Sequence, residues 1–326
     1  MLKDLIKSKE RGGHVIPVLE EAVLLAGKRD SYKRRRDVFH PSEISGDFCP
    51  RAWVLGARDK TLYFEKAVDS QTQWRFDVGS ALHELVQERL GETGKLVGTW
   101  TCKRWCLEER CSFYGFKPSP DICPMNTPHK AKFTYDEIGV DDEDLKVHGK
   151  TDGVIMLKQG KYVFEFKTIN SRSFSTLAEP MDMHKEQAMI YIDTLERKSQ
   201  EHEKELLKLQ RDGFDVSELL EVARAKFKGA VILYMNKDTQ EFKEFIVQAD
   251  QRLRFPSAIQ IKSMEFDDGE EEDWLEEKKE LIRQTLADYE SGVLPDRLDV
   301  CTSKSCTRAR KCFAKNACFK KIKQEG

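Results

Sequence analysis

VHGKTDGVIMLKQGKYVFEFKTIN, residues 147–170, is the stretch whose reading decides the fold. Two runs rich in β-branched and aromatic residues flank a turn expected at Gln159-Gly160, which predicts a β-hairpin. With the turn centred there, antiparallel pairing sets Asp152 opposite Lys167, with Glu165 a diagonal neighbour two residues along. Side chains alternate faces with period two, so Asp152, Glu165 and Lys167 share one face. Ile155, Leu157, Tyr162, Phe164 and Phe166 share the other, a predicted core face. Two carboxylates and an ammonium then converge within roughly 5–8 Å on ordinary cross-strand spacing. Carboxylates that close repel unless a cation lies between them, and oxygen ligands select a hard ion such as Mg²⁺ or Mn²⁺. Such an ion lowers the pKa of a water and stabilises charge on a phosphate, and a nearby lysine can position that water. The plain alternative is an ion-pair cluster on the solvated face of a hairpin; on the local pattern alone the two readings stand level.

Working outward, apolar spacing predicts helices over residues 14–28, 50–57, 72–90 and 271–290. Val78, Leu82, Leu85 and Val86 mark the third, which Gly91 and Gly94 end. Strands are predicted at 146–157, 161–169, 229–235 and 241–248. Between the second and third lies a helical region from Met183 to Phe227, broken near Asp212-Gly213, whose charge-dense part reads as a solvated helical hairpin. Residues 101–130 carry cysteines, three prolines (Pro118, Pro120, Pro124) and little periodicity, and read as a loop-rich insert. Helices and strands mixed in this order predict an α/β fold.

The chain of 326 residues holds one large core with insertions or two smaller ones. It is 39% hydrophobic and 34% charged, and no apolar run approaches the roughly 18–20 residues that span a bilayer, so a cytoplasmic protein is expected. Net charge is −2, which leaves only local patches to bind a polyanion. One basic run is KRDSYKRRR from Lys28 to Arg36; Lys33 to Arg36 read equally as a solvated surface or as phosphate contacts. DDGEEE, residues 267–272, is acidic.

Nine cysteines, an odd number, fall in groups: Cys49; Cys102, Cys106, Cys111 and Cys123; Cys301, Cys306, Cys312 and Cys318. In a reducing compartment such grouping argues for metal ligation by thiolates rather than for disulfides. The inner group suits a closed tetrahedral zinc site, in which His129 can replace one ligand.

Together these features resemble the PD-(D/E)XK nuclease superfamily, in which Asp comes from one strand and Glu-x-Lys from the next. The similarity is to its RecB-like branch, which adds a His on an upstream helix and Gln-x-x-x-Tyr on the helix after the Glu-x-Lys strand. Here those are His83 in GSALHELVQERL, and Gln187 and Tyr191 in HKEQAMIYIDTL. The resemblance implies that His83 joins Asp152 and Glu165 as a metal ligand, and that Gln187 and Tyr191, one helical turn apart, support the site or contact the DNA strand. The literal proline of the motif is absent, since Thr151 precedes Asp152.

Some RecB-like members, among them AddB-type subunits, CRISPR-associated exonucleases and phage exonucleases, tie the domain ends together with a [4Fe–4S] cluster. By that resemblance Cys49 is one ligand, Cys312 and Cys318 are the terminal pair, and Cys301 or Cys306 is the fourth. The implied organisation is an N-terminal helical and basic segment (1–48) and a nuclease domain (49–320). That domain contains the cysteine-rich insert (101–130) and a charged helical insert (196–228). The implied activity is hydrolysis of DNA, exonucleolytic on single strands or ends, in recombination, repair or replication within a bacterial or virus-infected cell. Partners would be DNA and recombination or replication proteins, with no membrane. The alternatives are a non-catalytic iron–sulfur DNA-binding subunit and a structure-specific endonuclease. An intact Asp-Glu-Lys set argues against the first, because an unused site sheds charges that are unfavourable to hold together.

Overall fold

The computed structural model describes residues 15–64, 68–102, 112–119, 133–213, 215–249 and 274–320. Its contacts divide the chain into two compact units, one of residues 39–48 and 83–287, the other of residues 1–38, 49–82 and 288–326.

The larger unit is a mixed sheet with helices, the first of them the one-turn α2 (Pro41–Ile44). Its strands are β1 (Leu96–Cys102), β2 (Ser112–Gly115), β3 (Phe133–Asp136), β6 (Gly153–Leu157), β7 (Gly160–Ile169), β8 (Phe227–Asn236) and β9 (Phe242–Gln248), in the order β2-β1-β6-β7-β8-β9 with β3 also on β1. A separate ribbon pairs β4 (Ile138–Asp142) with β5 (Val147–Thr151). β7 and β8 run parallel, whereas the other pairings are antiparallel. The 30-residue helix α6 (Asp182–Arg211) follows β7, after a short helix α5 (Ser171–Thr176), and supplies the crossover that a parallel pair requires. Ala188, Tyr191, Ile192 and Leu195 of α6 pack on Val97, Val154, Val163, Ile232 and Tyr234 of the sheet.

The hairpin forms with its register moved by two residues from the expected one. Leu157 pairs with Gly160 and Gly153 with Phe164, so the turn is Lys158-Gln159 and Asp152 comes level with Glu165 rather than Lys167. Gly160, at φ +140, starts β7 directly from the turn. A two-residue slip preserves the faces, so Asp152, Glu165 and Lys167 still share one. That face is not solvated: Val163 and Phe166, on opposite faces of β7, are both fully buried. A strand covered on both sides reads as a continuous apolar run, as this one does.

Two other expectations need correction. The segment 146–157 is two strands, β5 and β6, which belong to different sheets and meet at Asp152. Gly153 makes that break, at φ +150 with Tyr135 Oη only 2.5 Å from where a Cβ would stand. The insert is not wholly loop, since Ser112–Gly115 pairs with β1, whose Trp100 packs with Phe133. Helix α7 (Ser217–Arg224) folds back on α6 as expected of the charged hairpin, with a small core of Leu206, Val216 and Leu220.

The smaller unit contains helices α1 (Ile16–Lys33), α3 (Pro50–Arg58), α9 (Thr307–Lys311) and α10 (Lys315–Cys318). Proline at the first turns of α1 and α3 is pre-set for helix geometry. Trp53 donates to Val38 O and meets Tyr289 edge-on, while Tyr63 stacks on Phe313 at 4.0 Å. Arg36 lies 3.8 Å over the Tyr63 ring, and Arg35 pairs with Asp37, so two arginines of the Lys33–Arg36 run are engaged within the unit. Helix α4 (Ser70–Gly91) contributes residues to both units. α8 (Trp274–Glu290) realises the helix expected over 271–290; residues 271–273 and the acidic 267–272 lie outside the described residues. Among the described residues no helix is long and apolar enough to cross a membrane.

Candidate active site

Asp152 sits at the junction of β5 and β6, and its carboxylate is held from three directions. Phe166 N donates to Oδ2 at 2.6 Å, His83 Nδ1 lies 3.1 Å from Oδ1, and Gln87 Nε2 lies 3.4 Å from Oδ1. His83 and Gln87 are four apart on α4 and therefore share a helix face. The same Gln87 amide donates to Asp152 O at 3.2 Å, where Tyr135 Oη donates at 2.7 Å. The His83 ring rests edge-on against Phe166, with centroids 4.8 Å apart. Burial lowers the His83 pKa, but the hydrogen bond and charge of Asp152, with Glu165 behind it, raise it above the usual value overall.

Glu165 and Lys167 project from β7 toward α6. Lys167 Nζ pairs with Glu165 Oε1 and donates to Gln187 Oε1 at 3.1 Å; Gln187 Nε2 in turn donates to Tyr191 Oη at 2.7 Å. A continuous chain thus runs from the carboxylate through the ammonium to the phenol, which burial pushes well above its usual pKa. The second Glu165 oxygen, Oε2, is buried and has no hydrogen-bond partner among the described residues. Burial pushes Glu165 up to about 7 despite the adjacent lysine, whose own protonated form the carboxylates favour.

One member of this group was not anticipated. Glu137, between β3 and β4, brings its carboxylate to His83 and Asp152, and one potential ligand atom from each of the three lies within 4.8 Å of the others. Burial raises its pKa, the Asp152 charge adds to this, and Gln87 partly offsets both. The sequence FTYDEIGV carries no local signal for this placement, which depends on β3 pairing with β1. Gln87, by contrast, was readable as the residue one turn beyond His83. All six expected residues, His83, Asp152, Glu165, Lys167, Gln187 and Tyr191, therefore lie in one connected cluster.

A second cluster lies in the smaller unit. Cys49, Cys301, Cys312 and Cys318 line one cavity together with Arg308 and Phe319. Burial raises the Cys49 and Cys312 thiols, and the Arg308 charge opposes this. Cys306 is not in the lining; its Sγ accepts from Ala309 N at 3.3 Å and caps α9, a contact that lowers its pKa. Of the inner group, Cys102 is buried beside Trp100 and Phe133, whereas Cys106, Cys111, Cys123 and His129 lie outside the described residues. Comparison with models of known protein families and with curated proteins finds no match.

Proposed function

We propose that the protein is a metal-dependent DNA nuclease with a PD-(D/E)XK core of the RecB-like kind, acting as an exonuclease on single-stranded or end-containing DNA. The observations that carry this are the buried Glu165 Oε2, unpartnered among the described residues, and the gathering of His83, Asp152 and Glu137 around one point, with Asp152 level with Glu165 on the neighbouring strand. A buried carboxylate oxygen without a donor is strongly unfavourable, and the donor set is that of a hard divalent cation. Asp152, Glu165 and His83 would hold Mg²⁺ or Mn²⁺, with Glu137 available beside them. When bound, that ion supplies a more acidic water and charge stabilisation on the phosphate.

The chain's own residues do the positioning. Phe166 N and Gln87 fix both Asp152 oxygens, so the carboxylate cannot rotate away. Gln187, anchored by Tyr191, holds the Lys167 ammonium beside Glu165, where it can orient a water or steady an anionic phosphate oxygen. Burial of Asp152 and Glu165 strengthens each of these interactions. In the smaller unit, Cys49, Cys301, Cys312 and Cys318 fit a structural [4Fe–4S] cluster as a four-thiol cavity with an apolar surround. Zinc at Cys102, Cys106, Cys111 and Cys123 rests on their grouping, and about one zinc per chain by elemental analysis checks it. A cytoplasmic location goes with this reading.

The test is degradation of end-labelled single- and double-stranded DNA with Mg²⁺ or Mn²⁺, for wild type and Lys167→Ala. The wild type should degrade DNA, and the variant should be slower by about 10²-fold or more. If both bind DNA and both are equally inert, the enzyme reading is wrong and the non-catalytic one stands.

A further inference from the structure

A histidine outside the cation-binding group lies on the same helix as Gln187 and Tyr191. His184 precedes Gln187 by three residues and Tyr191 by seven, so the three share the face of α6 that packs on β7 and β8. Across from it, Tyr234 of β8 pairs in register with Lys167 of β7, and residues so paired project from the same face of a sheet. Tyr234 is fully buried, with Phe245 edge-on to its ring at 5.8 Å between centroids. Its hydroxyl lies 3.1 Å from Met181 N and 2.7 Å from His184 Nδ1.

These bonds fix the imidazole. A backbone N–H can only donate, so Tyr234 Oη accepts from Met181 N, and its single hydrogen needs an acceptor in turn. Among the described residues that acceptor is His184 Nδ1, which places the hydrogen of the neutral ring on Nε2. Burial, with the Lys167 charge adding to it, pushes the His184 pKa down to about 3, so the ring is neutral near pH 7. Nε2 has no partner among the described residues, and the side chain is partly exposed. The result is an N–H donor held through its other nitrogen, left unpaired, and close enough to Lys167 to feel its charge. A neutral donor can stand beside that ammonium without repulsion, and its bond to an anionic oxygen is stronger than one to a neutral acceptor.

We infer that His184 Nε2–H donates to a non-bridging phosphate oxygen of the bound strand, on the Lys167 side of the site. This rests on the nuclease reading for the choice of a phosphodiester as the ligand. The competing role is structural, with His184 serving only to accept from Tyr234 and so close the start of α6 onto the sheet. The two nitrogens separate these roles, because Nδ1 does the packing and Nε2 would do the binding.

Two substitutions exploit that separation. Asparagine puts its amide group where Nδ1 stands, so His184→Asn keeps an acceptor for Tyr234 and loses the outer donor. Glutamine puts its amide where Nε2 stands, so His184→Gln keeps the outer donor. The full-length holoprotein is titrated in Ca²⁺ in place of Mg²⁺ against labelled single-stranded oligonucleotides, read by fluorescence anisotropy. Each oligonucleotide carries one methylphosphonate, which replaces a charged oxygen by a methyl group, and the set moves it along the strand. At one position the methylphosphonate should weaken the wild type and His184→Gln by about tenfold, the scale of a hydrogen bond to a charged group. His184→Asn should bind the unmodified strand about tenfold more weakly and lose nothing further at that position. Equal methylphosphonate profiles in wild type and His184→Asn overturn the inference, whatever the affinity for the unmodified strand, and thermal melting shows whether a uniform loss comes from misfolding. So does a normal His184→Asn beside a weakened His184→Gln, which would leave the ring a structural role. In Mg²⁺, a wild type that shows the position-specific loss but never cleaves would sink the nuclease reading alone; a wild type that cleaves without that loss would sink this inference alone.

Discussion

At the scale of single residues, Glu165 holds an unfavourable position in cation-free buffer. Its carboxyl is buried, one oxygen lacks a partner, and its pKa is raised from the ordinary carboxylate range to about 7. A folded-state pKa above the unfolded one means that the folded chain binds the extra proton. The contribution to stability is therefore full below about pH 4.5 and declines as pH rises to about 7. In cation-free buffer the melting temperature should fall across that window, and Glu165→Gln should flatten the fall. Added Mn²⁺ should raise the wild-type melting temperature above pH 7 and leave Glu165→Gln little changed, because a ligand stabilises only the state that binds it. A variant that gains as much from Mn²⁺ as the wild type would remove Glu165 from the cation site. Gly153 tests the frame around the same cluster. Alanine there meets Tyr135, Leu96 and the backbone of Val97 at a φ that side chains rarely adopt, so Gly153→Ala should destabilise by about 2 kcal/mol or more. It should also lower DNA degradation, since the same break orients Asp152; chemical denaturation and rate are the two readouts. Asp152, Glu165 and Lys167 were legible as one face of a hairpin, whereas His83, Gln187 and Tyr191 were singled out only by the family resemblance. Glu137 was not, because only a long-range strand pairing brings it in.

Elements were legible in proportion to their length and periodicity. Helix α4 was expected over 72–90 and runs from Ser70 to Gly91; α6 was expected from Met183 and begins at Asp182. β1 to β4 escaped notice, being four to seven residues long and interrupted by cysteines or acids that mask alternation. The hairpin register slipped for a related reason. Period-two patterning fixes which face a residue takes, whereas the turn fixes the pairing, and two-residue turns starting at Lys158 and at Gln159 differ little in sequence. The α6–α7 hairpin makes a prediction of its own. Its apolar support is Leu206, Val216 and Leu220, apart from the cluster in which α6 covers the sheet. Leu206→Ala should cost about 3 kcal/mol of local stability. Amide exchange should quicken across residues 203–224 while Gln187 and Tyr191 keep their protection and DNA degradation is unchanged. Faster exchange spreading into β7 would mean that hairpin and sheet unfold as one.

For the molecule as a whole, the question is what closes a unit assembled from chain segments so far apart in sequence. Cys49 and Cys301 are separated by roughly 250 residues, yet they line one cavity with Cys312 and Cys318. Non-covalent support exists, in the Trp53–Tyr289 and Tyr63–Phe313 contacts and in the Arg51 bond to Pro295 O. The apolar cluster beside the thiols is small, however, with Ala52, Leu62 and Ala314 as its buried members. A crosslink across such a loop removes about 5 kcal/mol of unfolded-state entropy in the chain-entropy account, more than a cluster of that size supplies. A [4Fe–4S] group on four thiolates would be such a crosslink, and its loss should open this unit first. Cys312→Ser, purified anaerobically, should lack the absorbance band at about 400 nm and unfold with an early transition absent from the wild type. Cys306→Ser should keep both band and transition temperature, because its sulfur caps α9 and is not in the cavity lining. Cys301→Ser should behave as Cys312→Ser does. The reverse pattern, with the band surviving in Cys301→Ser and lost in Cys306→Ser, would exchange the fourth ligand. A band unaffected by any of the three would mean that other thiolates hold the cluster, and would remove it as the crosslink of this unit.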